Sequence, residues 1–103
     1  LAGKVNKEIT PQALAERLRK GEQVMMLDVR EPEEWAEGHL HGAKHIPLGQ
    51  ILERLSELNA EEELVVICRS GNRSGLACEL LQEKGFNVVN MTGGLLAWED
   101  ELV

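Results

Sequence analysis

The chain has 103 residues, 43% of them hydrophobic, 28% charged and only 3% aromatic; that is the size of one domain, able to bury about two-thirds of its unfolded surface without disulfide staples. Lys and Arg number 11 against 18 Asp and Glu, and a net charge of −7 argues against nucleic-acid binding, which needs a basic surface. Two cysteines are too few for a disulfide framework, and no run approaches the roughly 20 apolar residues that span a bilayer, so neither nucleic acid nor membrane is expected as a partner. The chain begins at Leu1, not Met, and is expected to be processed, trimmed or cut from a longer protein.

In chain order, short apolar runs alternate with helical patterns. Residues 5–9 (Val5 to Ile9) read as a first strand. Thr10-Pro11 reads as an N-cap followed by proline at the first helical position, with Leu14 and Leu18 one turn apart and Lys20-Gly21 closing the helix. Val24 to Leu27 is a continuous apolar run ending at Asp28. Glu31 to Glu37 predicts a short helix stopped by Gly38, and Lys44 to Ile46 a short strand. Leu48, Ile51, Leu52, Leu55 and Leu58 make an apolar stripe at helical spacing. Leu64 to Ile67 is a second continuous run, ending at Cys68. Leu76, Ala77, Leu80 and Leu81 predict the helix after it, closed by Lys84-Gly85. Val88 to Met91 is a third run, ending at Thr92-Gly93-Gly94, and a last short helix is expected from Leu95 to about Glu101. Runs without in-and-out alternation suit strands buried on both faces of a parallel sheet. The order predicts a three-layer α/β/α domain with right-handed crossovers. Ligands bind beyond the carboxyl ends of such strands, where Asp28, Cys68 and Gly93 fall.

The segment Cys68-Arg69-Ser70-Gly71-Asn72-Arg73 joins a buried strand to an amphipathic helix. Unpaired N–H groups at the helix start and the charges of Arg69 and Arg73 favour thiolate over thiol. Gly71 lets the backbone curl its N–H groups inward into an anion-binding nest. The expectation is a nucleophilic Cys68 at the bottom of a small anion-binding cup, with Arg69, Ser70, Gly71, Asn72 and Arg73 as its substrate-binding wall. The same cysteine alone would read as a buried strand-end residue.

This loop, extended to Ser74, resembles the active-site loop of the single-domain rhodaneses, the thiosulfate sulfurtransferases. Asp28-Val29-Arg30-Glu31-Pro32-Glu33-Glu34-Trp35 with Gly38-His39-Leu40 resembles that family's first signature. Gly42-Ala43 through Ile46-Pro47 continues it, and Gly93-Gly94 with Ala97-Trp98 resembles its C-terminal signature. His41, where the family usually has proline, and Trp35, where it commonly has tyrosine or phenylalanine, depart from the pattern. The resemblance implies a rhodanese-like domain over residues 1–103, with a five-stranded parallel sheet of order 1-5-4-2-3 and helices on both faces. It implies sulfur transfer by double displacement through a Cys68 persulfide, without metal or organic cofactor. The implied donor is a small molecule such as thiosulfate, or a polysulfide or persulfide. The implied acceptor is a thiol, a thioredoxin-like protein among the candidates, with cyanide as the assay acceptor. A reactive free thiol also favours the cytoplasm.

Asp28 and Arg30, at the end of the central strand, are expected to pair and hold the loop from behind. Trp35 is expected either to line the pocket mouth or to cover the core edge. His39, His41 and His45 have neither zinc-finger spacing nor nearby cysteine, and no metal site is expected. Cys78, inside the following helix, reads as core packing beside Leu81. Two other functions compete. A cysteine phosphatase needs five residues between cysteine and arginine, whereas Arg73 comes one residue early and position 74 is serine. A non-enzymatic binding module of the same fold usually lacks the cysteine.

Overall fold

The computed structural model describes residues 7–103. Its elements are β1 (Glu8–Ile9), α1 (Pro11–Arg19), β2 (Met25–Asp28), α2 (Pro32–Ala36), β3 (Lys44–His45), β4 (Leu64–Ile67), α3 (Asn72–Glu83) and β5 (Val88–Met91), with 3-10 turns at Leu48–Gln50, Leu55–Glu57 and Gly94–Ala97. All strand pairs are parallel, in the order β1-β5-β4-β2-β3. This is the sheet that the alternation and the resemblance predict. Val5, expected in the first strand, lies outside the described residues. No helix among them is long and apolar enough to cross a membrane.

Strand periodicity explains where the reactive residues point, because successive side chains face opposite sides of the sheet. Along β4, Leu64 and Val66 join one core with Ala77, Cys78 and Leu81 of α3. Val65 and Ile67 join the other, with Leu14 of α1. Cys68 continues the first series, so its side chain is directed under α3. The central position of β4 leaves all four of its residues buried, which is why its run is apolar throughout.

Local signals place the helix ends. The Thr10 side chain accepts a hydrogen bond from the Ala13 amide at 3.1 Å, and Pro11 occupies the first helical position. Gly21 and Gly85 follow α1 and α3 with φ of +84° and +91°. Two expectations need correction. The Leu48–Leu58 stripe is not one helix but two 3-10 turns. Gly49 lowers helix propensity, and Leu52, part of the expected stripe, turns outward and is exposed. The last helix is likewise only the turn Gly94–Ala97. Glu99, Asp100 and Glu101 would crowd like charges at a helix C-terminus, where the dipole disfavours them. The chain instead returns to His39, whose backbone exchanges hydrogen bonds with Val103 at 3.1 and 2.8 Å.

Candidate active site

The loop leaving β4 is held by the turn Gly94–Ala97. The Leu95 amide donates to the Cys68 carbonyl and the Leu96 amide to the Arg69 carbonyl, both at 2.9 Å. A trans peptide sends its C=O and N–H in opposite directions. The Arg69 carbonyl drawn toward the turn therefore sends the Ser70 amide the other way, to the side of the cysteine sulfur. The Gly71 amide donates to Cys68 Sγ at 3.0 Å. Gly71 has φ +103°, and a Cβ there would meet the Gly93 nitrogen at 3.2 Å. Gly94 is tighter still: a Cβ would fall 2.3 Å from both C and O of Arg69 and 2.5 Å from the Ser70 nitrogen.

Cys68 Sγ also lies 3.3 Å from Ser74 Oγ. Burial pushes the Cys68 thiol up. The Ser74 hydroxyl and the backbone of Ser74, Gly71 and Ser70 outweigh that and hold it below the ordinary cysteine range. The stabilisation comes from oriented hydrogen bonds more than from the two arginines. Arg73 is engaged elsewhere, in a fork to Glu34 at 2.6 and 2.8 Å that raises its own proton affinity. Reciprocally, the Arg73 hydrogen bond draws the Glu34 carboxyl down to about 2. The guanidinium of Arg73 thus straps α3 to α2. Arg69 forms no ion pair among the described residues and is exposed.

The residue Cys68 is 0% exposed. The cup is therefore closed by its own rim, although the amides turn inward as the nest requires. A cleft of about 490 Å³ adjoins it, lined by Arg30, Glu34, Glu37, Arg69, Leu95 and Leu96. A larger pocket of about 610 Å³, between Leu18, Leu40, Trp98 and the acidic run 99–101, contains none of the loop residues and is ill-suited to an anion.

Asp28 and Arg30 are buried and paired. Arg30 Nε donates to both Asp28 oxygens at 3.0 Å and Nη2 to Oδ2 at 2.8 Å. Arg30 also donates to the carbonyls of Gly38 (2.8 Å) and Glu34 (3.2 Å), fixing α2 against the sheet end. Trp35 is half-buried and does not line the cleft. Its ring stacks on His39, with centroids 3.6 Å apart, and on His45 at 4.7 Å. Each imidazole donates one N–H to a carbonyl, His39 Nδ1 to Trp35 and His45 Nε2 to Arg30. Among the described residues no group of three or more His, Cys, Asp or Glu converges to hold a metal. Cys78 is buried among core residues, and burial pushes its thiol up to about 12.

The sequence marks the loop, but the contacts of Ser74, Glu34 and Asn90, and the turn that orients the peptides, emerge only in the fold. The first-turn position of Ser74 in α3, which folds it back over Cys68, was the available signal for that residue.

Known proteins resemble this chain in sequence and in fold. The family model described as "Rhodanese-like domain" matches residues 10–101. YtwF of Bacillus subtilis (strain 168) is 47% identical over 95 residues, covering 92% of each chain. A protein of Allochromatium vinosum named "Sulfurtransferase" is 39% identical over 92 residues, covering 88% of this chain and 86% of its own. A crystal structure of a rhodanese-like domain protein from Staphylococcus aureus superposes with a TM-score of 0.90 at 37% identity, over 95% of this chain and 97% of that one. With a family match over residues 10–101 and relatives aligned over most of both chains, this chain belongs to the rhodanese-like domain family.

Proposed function

We propose that the protein is a sulfurtransferase that carries sulfane sulfur as a persulfide on Cys68. The observation that carries this reading is the pair of contacts on one sulfur, the Gly71 amide at 3.0 Å and the Ser74 hydroxyl at 3.3 Å, in a loop whose Ser70 and Ser74 backbone also favours an anion at Cys68 Sγ. The relatives' names support the same reaction class. In the first half-reaction the Cys68 thiolate attacks the outer sulfur of thiosulfate. A sulfur–sulfur bond forms to Cys68, the bond to the sulfonate sulfur breaks, and sulfite leaves with its electron pair. The persulfide then bears the negative charge on its terminal sulfur. In the second half-reaction cyanide or a thiolate attacks that terminal sulfur, and Cys68 departs as thiolate into the same donors. One transfer becomes two steps with a stabilised leaving group in each.

The donor would approach through the cleft beside the loop, with Arg69 supplying the forked contact to sulfonate oxygens. Because Cys68 is covered, the rim around exposed Arg69 and Ser70 must open to admit it. In the cell a small thiol or a thioredoxin-like thiol protein fits the acceptor role, and a reducing compartment such as the cytoplasm keeps the nucleophile free. The phosphatase alternative meets a loop one residue short and an Arg73 already bound to Glu34. Steady-state assays of thiosulfate:cyanide transfer beside aryl-phosphate hydrolysis separate the two. Turnover of thiosulfate alone is expected, and hydrolysis of the phosphate ester without sulfur transfer would overturn the assignment.

A further inference from the structure

Ser74 Oγ contacts two partners, Cys68 Sγ at 3.3 Å and Asn90 Oδ1 at 2.5 Å. A hydroxyl has a single proton to donate, so it serves one of them at a time. The orientation of Asn90 is settled by its other end. Asn90 Nδ2 donates to the Gly71 carbonyl at 3.3 Å, and a flipped amide would set oxygen against oxygen there. The Gly71 amide closes the circuit on Cys68 Sγ at 3.0 Å. Four hydrogen bonds thus run Sγ, Oγ, Asn90, Gly71 and back to Sγ. Asn90 stands on β5 opposite Val66 of β4, on the side of the sheet that α3 covers, and an added Cβ at Gly75 would lie 3.5 Å from its Nδ2.

We infer that Asn90 is a positioning residue that takes the Ser74 proton while Cys68 Sγ is uncharged and yields it when that sulfur becomes a thiolate. In the thiol, S–H donates to Oγ and O–H to Asn90. When the S–H proton is lost to solvent, O–H turns to the thiolate Sγ and Asn90 Oδ1 loses its donor. In the persulfide, which rests on the sulfurtransferase reading above, charge has moved to the outer sulfur and O–H returns to Asn90. No proton leaves the ring in that last exchange; one hydroxyl rotates. The effect is to keep the thiolate from being over-stabilised, since an anion held too well is a weaker nucleophile.

The test is the pH dependence of Cys68 alkylation by iodoacetamide in a Cys78→Ala background, which requires no sulfur transfer. Asn90→Leu frees the Ser74 hydroxyl for Sγ and is expected to move the profile to lower pH, with about tenfold more thiolate at a given pH below the midpoint. Asn90→Asp, a stronger acceptor of the same shape, is expected to move it to higher pH. Both variants lose the bond to the Gly71 carbonyl, and the Asp charge by itself raises the midpoint, so the deciding result is the Asn90→Leu shift to lower pH, which a merely structural role would send to higher pH. In a Ser74→Ala background, Asn90→Leu should have no further effect. Shifts of one sign for both variants, or an Asn90→Leu shift that persists without Ser74, would overturn the inference. Opposite shifts in a protein that takes up no sulfur would instead remove the transfer reading and leave the proton ring standing.

Discussion

Replacing Gly94 by alanine tests how the loop is built. The residue has φ +60°, and its added Cβ would lie 2.3 Å from C and O of Arg69 and 2.5 Å from the Ser70 nitrogen. Ordinary van der Waals contact begins near 3.4 Å, so this peptide has to move by about 1 Å or the turn has to retreat as far. The left-handed backbone costs an L-residue about 1–2 kcal/mol. Forcing atoms into a packed site adds about 1–3 kcal/mol. Gly21 supplies the control: φ is +84°, with nothing within 4 Å of its Cβ, so Gly21→Ala isolates the backbone cost. Each kcal/mol corresponds to about 4–8 °C in Tm for a domain of this size. Calorimetry should therefore show Gly94→Ala falling at least about twice as far as Gly21→Ala. The displaced peptide carries the Ser70 N–H, which helps hold the thiol down, and adjoins the peptide whose Gly71 N–H donates to Sγ, so alkylation of Cys68 should move to higher pH in Gly94→Ala and stay in place in Gly21→Ala. Equal losses of Tm together with unchanged Cys68 reactivity in both variants would refute the assignment of that peptide as the thiolate's support.

Three further outcomes follow from the geometry. Arg30→Leu leaves the Asp28 carboxylate buried without its partner and should cost about 3–5 kcal/mol in urea unfolding, with part regained by adding Asp28→Asn. The Glu34 carboxyl, drawn down from 4.5 to about 2, contributes stability that is present above the unfolded value and lost as pH falls toward 2. Glu34→Gln should therefore be about 1 kcal/mol less stable than the parent at neutral pH, with the gap closing in unfolding experiments between pH 4.5 and 2. Cys78, with its thiol pushed up to about 12, should take no iodoacetamide at pH 8 in the folded protein and react once unfolded in urea; native labelling would show the packing around it to be wrong.

How far the chain could be read in advance depended on which physics controlled each segment. Val65 and Val66 sit in a strand buried on both faces, and such burial leaves an apolar run that no other placement explains. The Thr10-Pro11 start of α1 and the glycines after α1 and α3 were legible because caps are local. The stripe from Leu48 to Leu58 reported a buried face correctly, since Ile51 is buried and Leu48, Leu55 and Leu58 pack on the core. It could not report the hydrogen-bond pattern, since two 3-10 turns bring the same apolar residues to the core. The same limit applied at the site. Cys68 and its glycine were visible because strand end, loop and helix start are contiguous. The direction of Arg73 was not, because its partner Glu34 lies 39 residues away in sequence. Nor was the contact of Ser74 with Asn90, which exists only because β5 lies beside β4.

The central claim is that Cys68 is a sulfur carrier. Intact-protein mass spectrometry after brief exposure to thiosulfate tests it most directly. The expected result is the gain of a single sulfur atom, mapped to Cys68, removed by cyanide and absent from Cys68→Ala. An unchanged mass in the parent protein, or a sulfur retained by Cys68→Ala, would contradict it.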